Sequence, residues 1–274
     1  MRGFLLDRLP ADVPVAELLA SGAFVDQHGR PFAAGEAYRH STLIWFHRAV
    51  LPEPPVPGEV RVLHSDDRIV VVDKPHFLAT TPRGVHVRET VLVRLREQLD
   101  LPDLAPAHRL DRLTAGVLLL TVQRRHRAAY STLFQNRQVT KTYEALATFD
   151  PALDFPRRSL DRIEKRRGSL QARVVEGEPN ADTLIELVER RGGHARYRLT
   201  PRTGRTHQLR LQLAARGLPI VGDPLYPRVL DVAPDDFTTP LQLVARRLGF
   251  RDPVDGTERE YTSRRLLDWP PSEE

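Results

Sequence analysis

Apolar residues after position 58 fall into short runs that are typical of β-strands. The run Lys141–Phe149 alternates, which places Tyr143 on one face of its strand together with Ala145. A turn at Ser65–Asp67 separates two of the runs and predicts a hairpin. The strands predicted in this way are Val60–Leu63, Ile69–Asp73, Val117–Val122, Lys141–Phe149, Leu170–Val175, Thr183–Val188 and Arg196–Thr200.

Helical spacing of apolar residues is less frequent in this part of the chain. It predicts helices at Glu89–Leu99, Arg127–Asn136 and Gln208–Arg216. Strands outnumber these helices and do not alternate with them regularly. We therefore predict an α+β fold with a mixed, mainly antiparallel central sheet and flanking helices.

A proline-rich stretch divides the chain. Four of the seven residues 52–58 are proline, which cannot continue a helix or a central strand and favours a stiff, extended linker. The stretch separates a small N-terminal module, residues 1–51, from a larger domain, residues 59–274. Within the module we predict a helix at Val13–Ser21 and a strand ending in Leu43–Phe46.

Composition limits the chemistry available to the protein. The chain has no cysteine, which excludes disulfides, thiolate metal sites and cysteine nucleophiles. Lys and Arg total 41 against 36 Asp and Glu, a formal net charge of +5 that permits nucleic-acid binding. No signal peptide and no apolar run of membrane-spanning length is recognisable, so we expect a cytoplasmic protein that is not bound to a membrane.

The loop His108–Gly116 is the strongest candidate for a functional site. Asp111 lies in it between Arg109 and Arg112, and an apolar run follows at once. Such a loop would hold a carboxylate at the entrance to a rigid sheet, where the carboxylate can stay ionised and touch a substrate.

This loop resembles the catalytic motif of the RluA-type pseudouridine synthases. Three further segments resemble other motifs of that family and follow in the family's order. They are Ile69–Pro75, Lys141–Ala145 and Thr203–Leu211, with Gly222–Tyr226 shortly after the last. The resemblance covers roughly residues 60 to 265 and implies the pseudouridine synthase fold for the large domain. The N-terminal module resembles, more weakly, a degenerate S4-type RNA-binding module.

The resemblance also implies a reaction and three catalytic residues. The bond from ribose to N1 of uracil breaks, the base turns, and the sugar is rejoined to C5. Asp111 would be the nucleophile, attacking C1′ or C6 or promoting elimination to a glycal, and these routes stay open. Tyr143 would stack on the uracil and take or relay the proton. Arg210 would form a salt bridge that keeps Asp111 charged despite burial.

The remaining residues matched by the resemblance would bind RNA. Arg109 would enter the RNA as the target base is flipped out, and His108 would shape the loop. The residues predicted to contact RNA are His108, Arg109, Arg112, Lys141, Arg202 and Arg205. The basic run Lys165–Arg167 is interpreted as a solvated loop rather than a site. Phe77 stands where glycine is common in the family, and we expect its bulk near the RNA entrance.

We therefore predict an RNA pseudouridine synthase that needs no metal or other cofactor and acts as a monomer. Ribosomal RNA is favoured over transfer RNA as its substrate. One alternative is a catalytically idle RNA-binding or RNA-folding protein on the same fold, against which the intact Asp111, Tyr143 and Arg210 argue. A metal-dependent nuclease or phosphatase is less well supported, because no metal-ligand motif is recognisable.

Overall fold

The computed structural model describes residues 1–10, 13–46, 53–84 and 86–271. The chain divides into two compact units, residues 1–52 and 53–274. None of the helices in the described ranges has the length and apolar character needed to cross a bilayer.

The first unit is a small helical module with its own core. It contains the helices α1 (Arg2–Arg8) and α2 (Val15–Ala20), and α2 confirms the helix predicted in this region. The predicted strand at Leu43–Phe46 is wrong: among the described residues only an isolated bridge joins Trp45 to Val25. The segment alternates as a strand would, with Leu43 and Trp45 exposed, but it does not pair along its length. Its resemblance to an S4-type module stays a prediction.

The second unit contains a large mixed sheet. Its strands are β1 (Arg61–Ser65), β2 (Ile69–Lys74), β3 (Ala105–Pro106), β4 (Ala115–Thr121), β5 (Val139–Thr148), β6 (Arg157–Glu164), β7 (Arg173–Val175), β8 (Ala181–Arg191), β9 (His194–Pro201), β10 (Leu243–Arg251) and β11 (Glu258–Thr262). Its α-helices are α3 (Val91–Leu99), α4 (Arg127–Gln135) and α5 (Gln208–Ala214), and a 3₁₀ turn at Arg124–His126 precedes α4. The strand order is β1-β2-β4-β10-β5-β9-β8-β6-β7, with β3 beside β4 and β11 beside β10.

Among the strands of the described residues, β4 and β10 form the one parallel pair. The predicted α+β fold with a mixed, mainly antiparallel sheet is therefore confirmed. The predicted hairpin is present as β1 and β2, and the three predicted helices are present as α3, α4 and α5.

One strand prediction is too long. The sequence predicts a strand over Leu170–Val175, but β7 begins only at Arg173. The preceding residues form the β6–β7 loop, in which Lys165 Nζ donates to the Ser169 carbonyl and Ser169 Oγ donates to the Gln171 carbonyl at 2.7 Å. Such local side-chain bonds satisfy backbone groups that a strand would otherwise pair.

The sheet separates two apolar cores. Val70 and Val72 of β2 face one core, which α3 and α5 cover, whereas Ile69 and Val71 face the other, which α4 covers. Every residue of β2 and β4 is buried, because both faces of these strands are covered. This explains why the runs Ile69–Val72 and Val117–Leu120 in these strands are continuously apolar rather than alternating.

The predicted linker packs against the second unit from Glu53 onward, whereas Pro52 lies outside the described residues. The Glu53 carboxylate accepts hydrogen bonds from the backbone N–H groups of Val87 and Arg88 at 2.8 and 2.7 Å. Val56 is buried in the core covered by α3 and α5.

Strand pairing aligns one residue from each of four neighbouring strands across the sheet. Lys74 of β2 pairs with Gly116 of β4, Gly116 with Ala245 of β10, and Ala245 with Tyr143 of β5. Adjacent strands lie about 4.8 Å apart, so Tyr143 is about 10 Å from the start of β4. The loop that leads into β4 therefore ends on the same side of the sheet as Tyr143, about 10 Å away, with β10 between them.

We predict that Gly116→Ala severely destabilises the second unit. Gly116 has a φ of +114°, and a Cβ there would lie 2.3 Å from the Ala245 carbonyl oxygen. Strain and overpacking together should lower the free energy of unfolding by about 3 kcal/mol or more. Urea unfolding measures this. Gly193→Ala is the control, because Gly193 also lies in the second unit and its Cβ would meet no atom within 4 Å. Equal stabilities of the two variants would contradict the predicted close packing of β4 on β10.

Candidate active site

A buried lysine supports the loop that carries Asp111. The side chain of Lys74 is fully buried, and its Nζ donates to the carbonyls of Pro75, Leu78 and Arg112 at 3.0, 2.7 and 3.1 Å. Burial lowers the pKa of Lys74 to about 7, an effect that the nearby Asp111 carboxylate opposes. One ammonium group thus joins the end of β2 to the residue that follows Asp111.

Two further side chains hold the same loop. Thr80 Oγ1 donates to the Leu110 carbonyl at 2.8 Å and accepts from the Leu110 N–H at 3.2 Å. His76 and the Leu113 carbonyl are joined by a 2.8 Å hydrogen bond, in which Nδ1 is the donor. The backbone is therefore fixed on both sides of Asp111.

The Asp111 carboxylate itself is left unpaired. Within the described residues, no side-chain hydrogen bond and no ion pair within 4.0 Å involves it. Because its backbone is fixed while its oxygens have no partner among the described residues, this carboxylate is available to an incoming ligand.

Asp111 faces a cavity of about 1480 Å³. Ten lysine and arginine residues line this cavity, and Asp111 is the sole carboxylate among the described lining residues. The ten are Arg83, Arg109, Arg137, Lys141, Lys165, Arg166, Arg167, Arg202, Arg205 and Arg210. Such a surface attracts a polyanion and presents one acidic group to it.

The cavity brings together eight of the nine residues that the sequence singled out. Arg112 is the exception: the cavity lining in the described chain does not include its side chain. Its backbone carbonyl accepts from Lys74, its Nη1 is buried without a hydrogen-bond partner, and burial lowers its pKa. RNA binding by Arg112 stays a prediction that this placement does not favour.

Arg210 has a different partner from the one predicted. Its guanidinium donates to the Asp223 carboxylate at 2.8 and 2.6 Å, in a pair whose side chains are almost fully buried. No ion pair within 4.0 Å joins Arg210 to Asp111 in the described chain, so the predicted salt bridge is wrong. Asp111 lies near enough that its charge, like that of Asp223, helps to raise the pKa of Arg210 against the effect of burial.

Tyr143 lies on β5 and lines the cavity with Asp111. Burial raises its pKa, and the neighbouring Asp111 carboxylate raises it further. The hydroxyl is therefore protonated at neutral pH, and Tyr143 is a hydrogen-bond donor and acceptor rather than a phenolate.

His108 shapes the loop, as the sequence predicted. Its Nε2 accepts a hydrogen bond from the Leu119 N–H at 3.2 Å, and its ring stacks on Phe134 with centroids 4.3 Å apart. Burial, aided by the Lys141 charge, lowers the pKa of His108 to about 3. The imidazole is therefore neutral at physiological pH.

Lys165–Arg167 and Phe77 lie in surroundings that the sequence does not indicate. Lys165–Arg167 lie in an exposed loop, as the sequence indicates, but all three residues also line the cavity. The sequence places Phe77 near the RNA entrance, but its ring is buried in the core against Phe237, at 5.4 Å between centroids. The φ of Phe77 is +65°, a left-handed conformation that explains why glycine suits this position.

A compositional signal could have drawn attention to Lys165. Lysine occurs at only three positions in this arginine-rich chain, namely Lys74, Lys141 and Lys165. Lys74 supports the Asp111 loop, and the other two line the cavity.

We predict that Lys74→Met loosens the Asp111 loop. The thioether cannot donate to the three carbonyls, and leaving buried carbonyls without donors should reduce the free energy of unfolding by about 1–3 kcal/mol. Hydrogen exchange should become faster in residues 110–114 and stay unchanged in α4. Lys165→Met is the control, because Lys165 is exposed and should affect neither quantity. Unchanged exchange in residues 110–114 would contradict the supporting role of Lys74.

Comparison with known proteins agrees with this geometry. The family described as RNA pseudouridylate synthase matches residues 68–215. The dual-specificity RNA pseudouridine synthase RluA of Pasteurella multocida is 32% identical over 207 residues, which cover 73% of this chain and 91% of that protein. Ribosomal large subunit pseudouridine synthase D of Escherichia coli is 32% identical over 219 residues, 73% of this chain and 65% of that protein.

Two human proteins extend the comparison. The chain is 32% identical over 186 residues to pseudouridylate synthase RPUSD2, a match that spans 64% of this chain but only 32% of that longer protein. The solved structure of human RNA pseudouridylate synthase domain containing 4 matches with a TM-score of 0.57 and 27% identity, over 76% of this chain and 88% of that one. The chain therefore belongs to the RNA pseudouridylate synthase family, as an RluA-type member with the α+β pseudouridine synthase fold.

Proposed function

We propose that this protein isomerises specific uridines in structured RNA to pseudouridine, with Asp111 as the nucleophile. The observation that carries the proposal is the cavity in which ten cationic side chains surround one unpaired carboxylate. The cations suit the phosphates of an RNA, and the carboxylate suits attack on an electron-poor carbon. Attack on C1′, attack on C6 and elimination to a glycal are all compatible with this arrangement.

Tyr143 would act on the uracil in two ways. Its ring offers a stacking surface for a base that has left the RNA helix. Its hydroxyl carries a proton at neutral pH, because burial and Asp111 raise its pKa. We therefore propose that Tyr143 relays the proton released from C5 rather than removing it as a preformed phenolate.

The surrounding cations would position the RNA. Arg109 is exposed beside Asp111, where it can enter the space left by a flipped base. Lys141, Arg202 and Arg205 would contact phosphates, and we add the cavity-lining residues Lys165–Arg167 to this group. Phosphate contacts place the RNA without reading its sequence.

Ribosomal RNA is our preferred substrate, in the cytoplasm. The name of the Escherichia coli relative refers to the large ribosomal subunit, which supports this choice, whereas that of the Pasteurella multocida relative states dual specificity. Residues 1–52 contain five arginines and five acidic residues, so the net charge of +5 resides in residues 53–274. This distribution supports the second unit as the main source of electrostatic attraction to RNA.

Asp111→Asn should abolish turnover without preventing RNA binding. The amide keeps the shape of the side chain but is not a nucleophile, so we expect single-turnover pseudouridine formation to fall by more than about 10³-fold. The dissociation constant for the same RNA should change little, because the cationic lining is unaltered. Turnover at a wild-type rate would refute the assignment of Asp111, and loss of both turnover and binding would indicate a structural role instead.

Tyr143→Phe should separate stacking from proton relay. The phenyl ring can still stack, so KM should stay within about twofold, whereas loss of the relay should lower kcat by about 10²- to 10⁴-fold. Steady-state kinetics on the same RNA measures both. A normal kcat would restrict Tyr143 to packing.

A further inference from the structure

The hairpin of β6 and β7 carries the basic residues Lys165–Arg167, which we call the hairpin tip. The tip is exposed and lines the cavity, whereas Ala172, at the base of the β6–β7 loop next to β7, is 2% exposed. Ala172 packs in one apolar cluster with Leu211 of α5 and with Tyr226. The position of the tip over the cavity therefore depends on contacts made at the base.

The Tyr226 hydroxyl makes two of these contacts. Tyr226 is 3% exposed, and its Oη accepts a hydrogen bond from the Ala172 N–H at 2.7 Å. The same oxygen lies 3.0 Å from Nδ1 of His207, the residue that precedes α5. Beside it, the Gln171 side-chain amide donates to the Leu225 carbonyl.

The phenol proton of Tyr226 has a natural acceptor. Burial lowers the pKa of His207, so the imidazole is neutral at physiological pH and Nδ1 can accept. The distance to His207 is shorter than the 3.4 Å to the Ala172 carbonyl, the other acceptor in reach. The Tyr226 ring also lies against the Arg210 guanidinium, at 5.4 Å.

We propose that Tyr226 is a positioning residue that anchors the β6–β7 hairpin, so that the hairpin tip stays over the cavity and contacts the RNA backbone. The proposal rests on the proposed function, because it assigns a purpose to the tip in RNA binding. The Tyr226 hydroxyl would thus affect RNA affinity through the hairpin, without itself touching the RNA.

Tyr226→Phe isolates this role. The ring keeps its packing and its position against Arg210, but the Ala172 N–H no longer has an acceptor, and the hairpin should open more often. We expect KM for the RNA to rise at least about fivefold, with kcat at saturating RNA within about twofold. The slope of log KM against log salt concentration should become shallower by about 1 to 3, since each phosphate that the protein no longer neutralises reduces the slope by roughly 0.7 to 0.9.

A second variant and a control make the test specific. Gln171→Ala removes the other anchoring bond from the hairpin side and should act in the same direction. Tyr130→Phe is the control: it loses a buried hydroxyl that lies 3.0 Å from both Asp252 oxygens, and the cavity lining of the described chain does not include it. Hydrogen exchange should become faster in residues 165–172 in the two anchor variants but not in Tyr130→Phe.

A double-variant comparison tests the route of the effect. If Tyr226 acts through the tip, adding Tyr226→Phe to Arg166→Ala/Arg167→Ala should raise KM much less than it does in the wild-type background. Additive effects, or unchanged exchange in residues 165–172 in both anchor variants, would overturn the proposal. Because exchange is measured without RNA, a wild-type protein that forms no pseudouridine would refute the proposed function separately.

Discussion

The site depends on how the backbone around Asp111 is held. Lys74, His76 and Thr80 bind three carbonyls of one short loop, and the carboxylate in its middle has no side-chain partner in the described structure. Burying an ammonium group is costly unless polar groups surround it. One of the three carbonyls that Lys74 binds belongs to Arg112, the residue after Asp111. The buried ammonium group therefore fixes the loop.

The sheet brings this loop and Tyr143 together in the candidate active site. The register from Lys74 through Gly116 and Ala245 to Tyr143 joins the four strands that carry the loop and the tyrosine. The cationic lining comes from distant parts of the chain. The Arg210 guanidinium forms an ion pair with Asp223, and this keeps it from pairing with the nearby Asp111. Within the described residues, this ion pair leaves the Asp111 carboxylate without a bound guanidinium, although ten cationic side chains line the cavity.

Much of this arrangement could be predicted from sequence. Apolar runs located most strands of the sheet, and the motif around Asp111 identified the family. The partner of Arg210 could not be predicted, because which carboxylate reaches a buried guanidinium is decided by tertiary packing. The placement of Lys165–Arg167 depends on a loop that is bound at Ala172 by the Tyr226 hydroxyl, a long-range contact that a local pattern does not contain. The buried position of Phe77 could not be predicted either, because it depends on a left-handed backbone that directs the ring into the core.

The activity proposed for this protein is the isomerisation of uridine in cellular RNA. The most direct test is to map pseudouridine in total RNA from cells that have the protein, from cells that lack it, and from deleted cells that carry a restored copy. We expect at least one uridine, in ribosomal RNA, that is modified in the first and third samples and unmodified in the second. Identical maps in all three samples would contradict it.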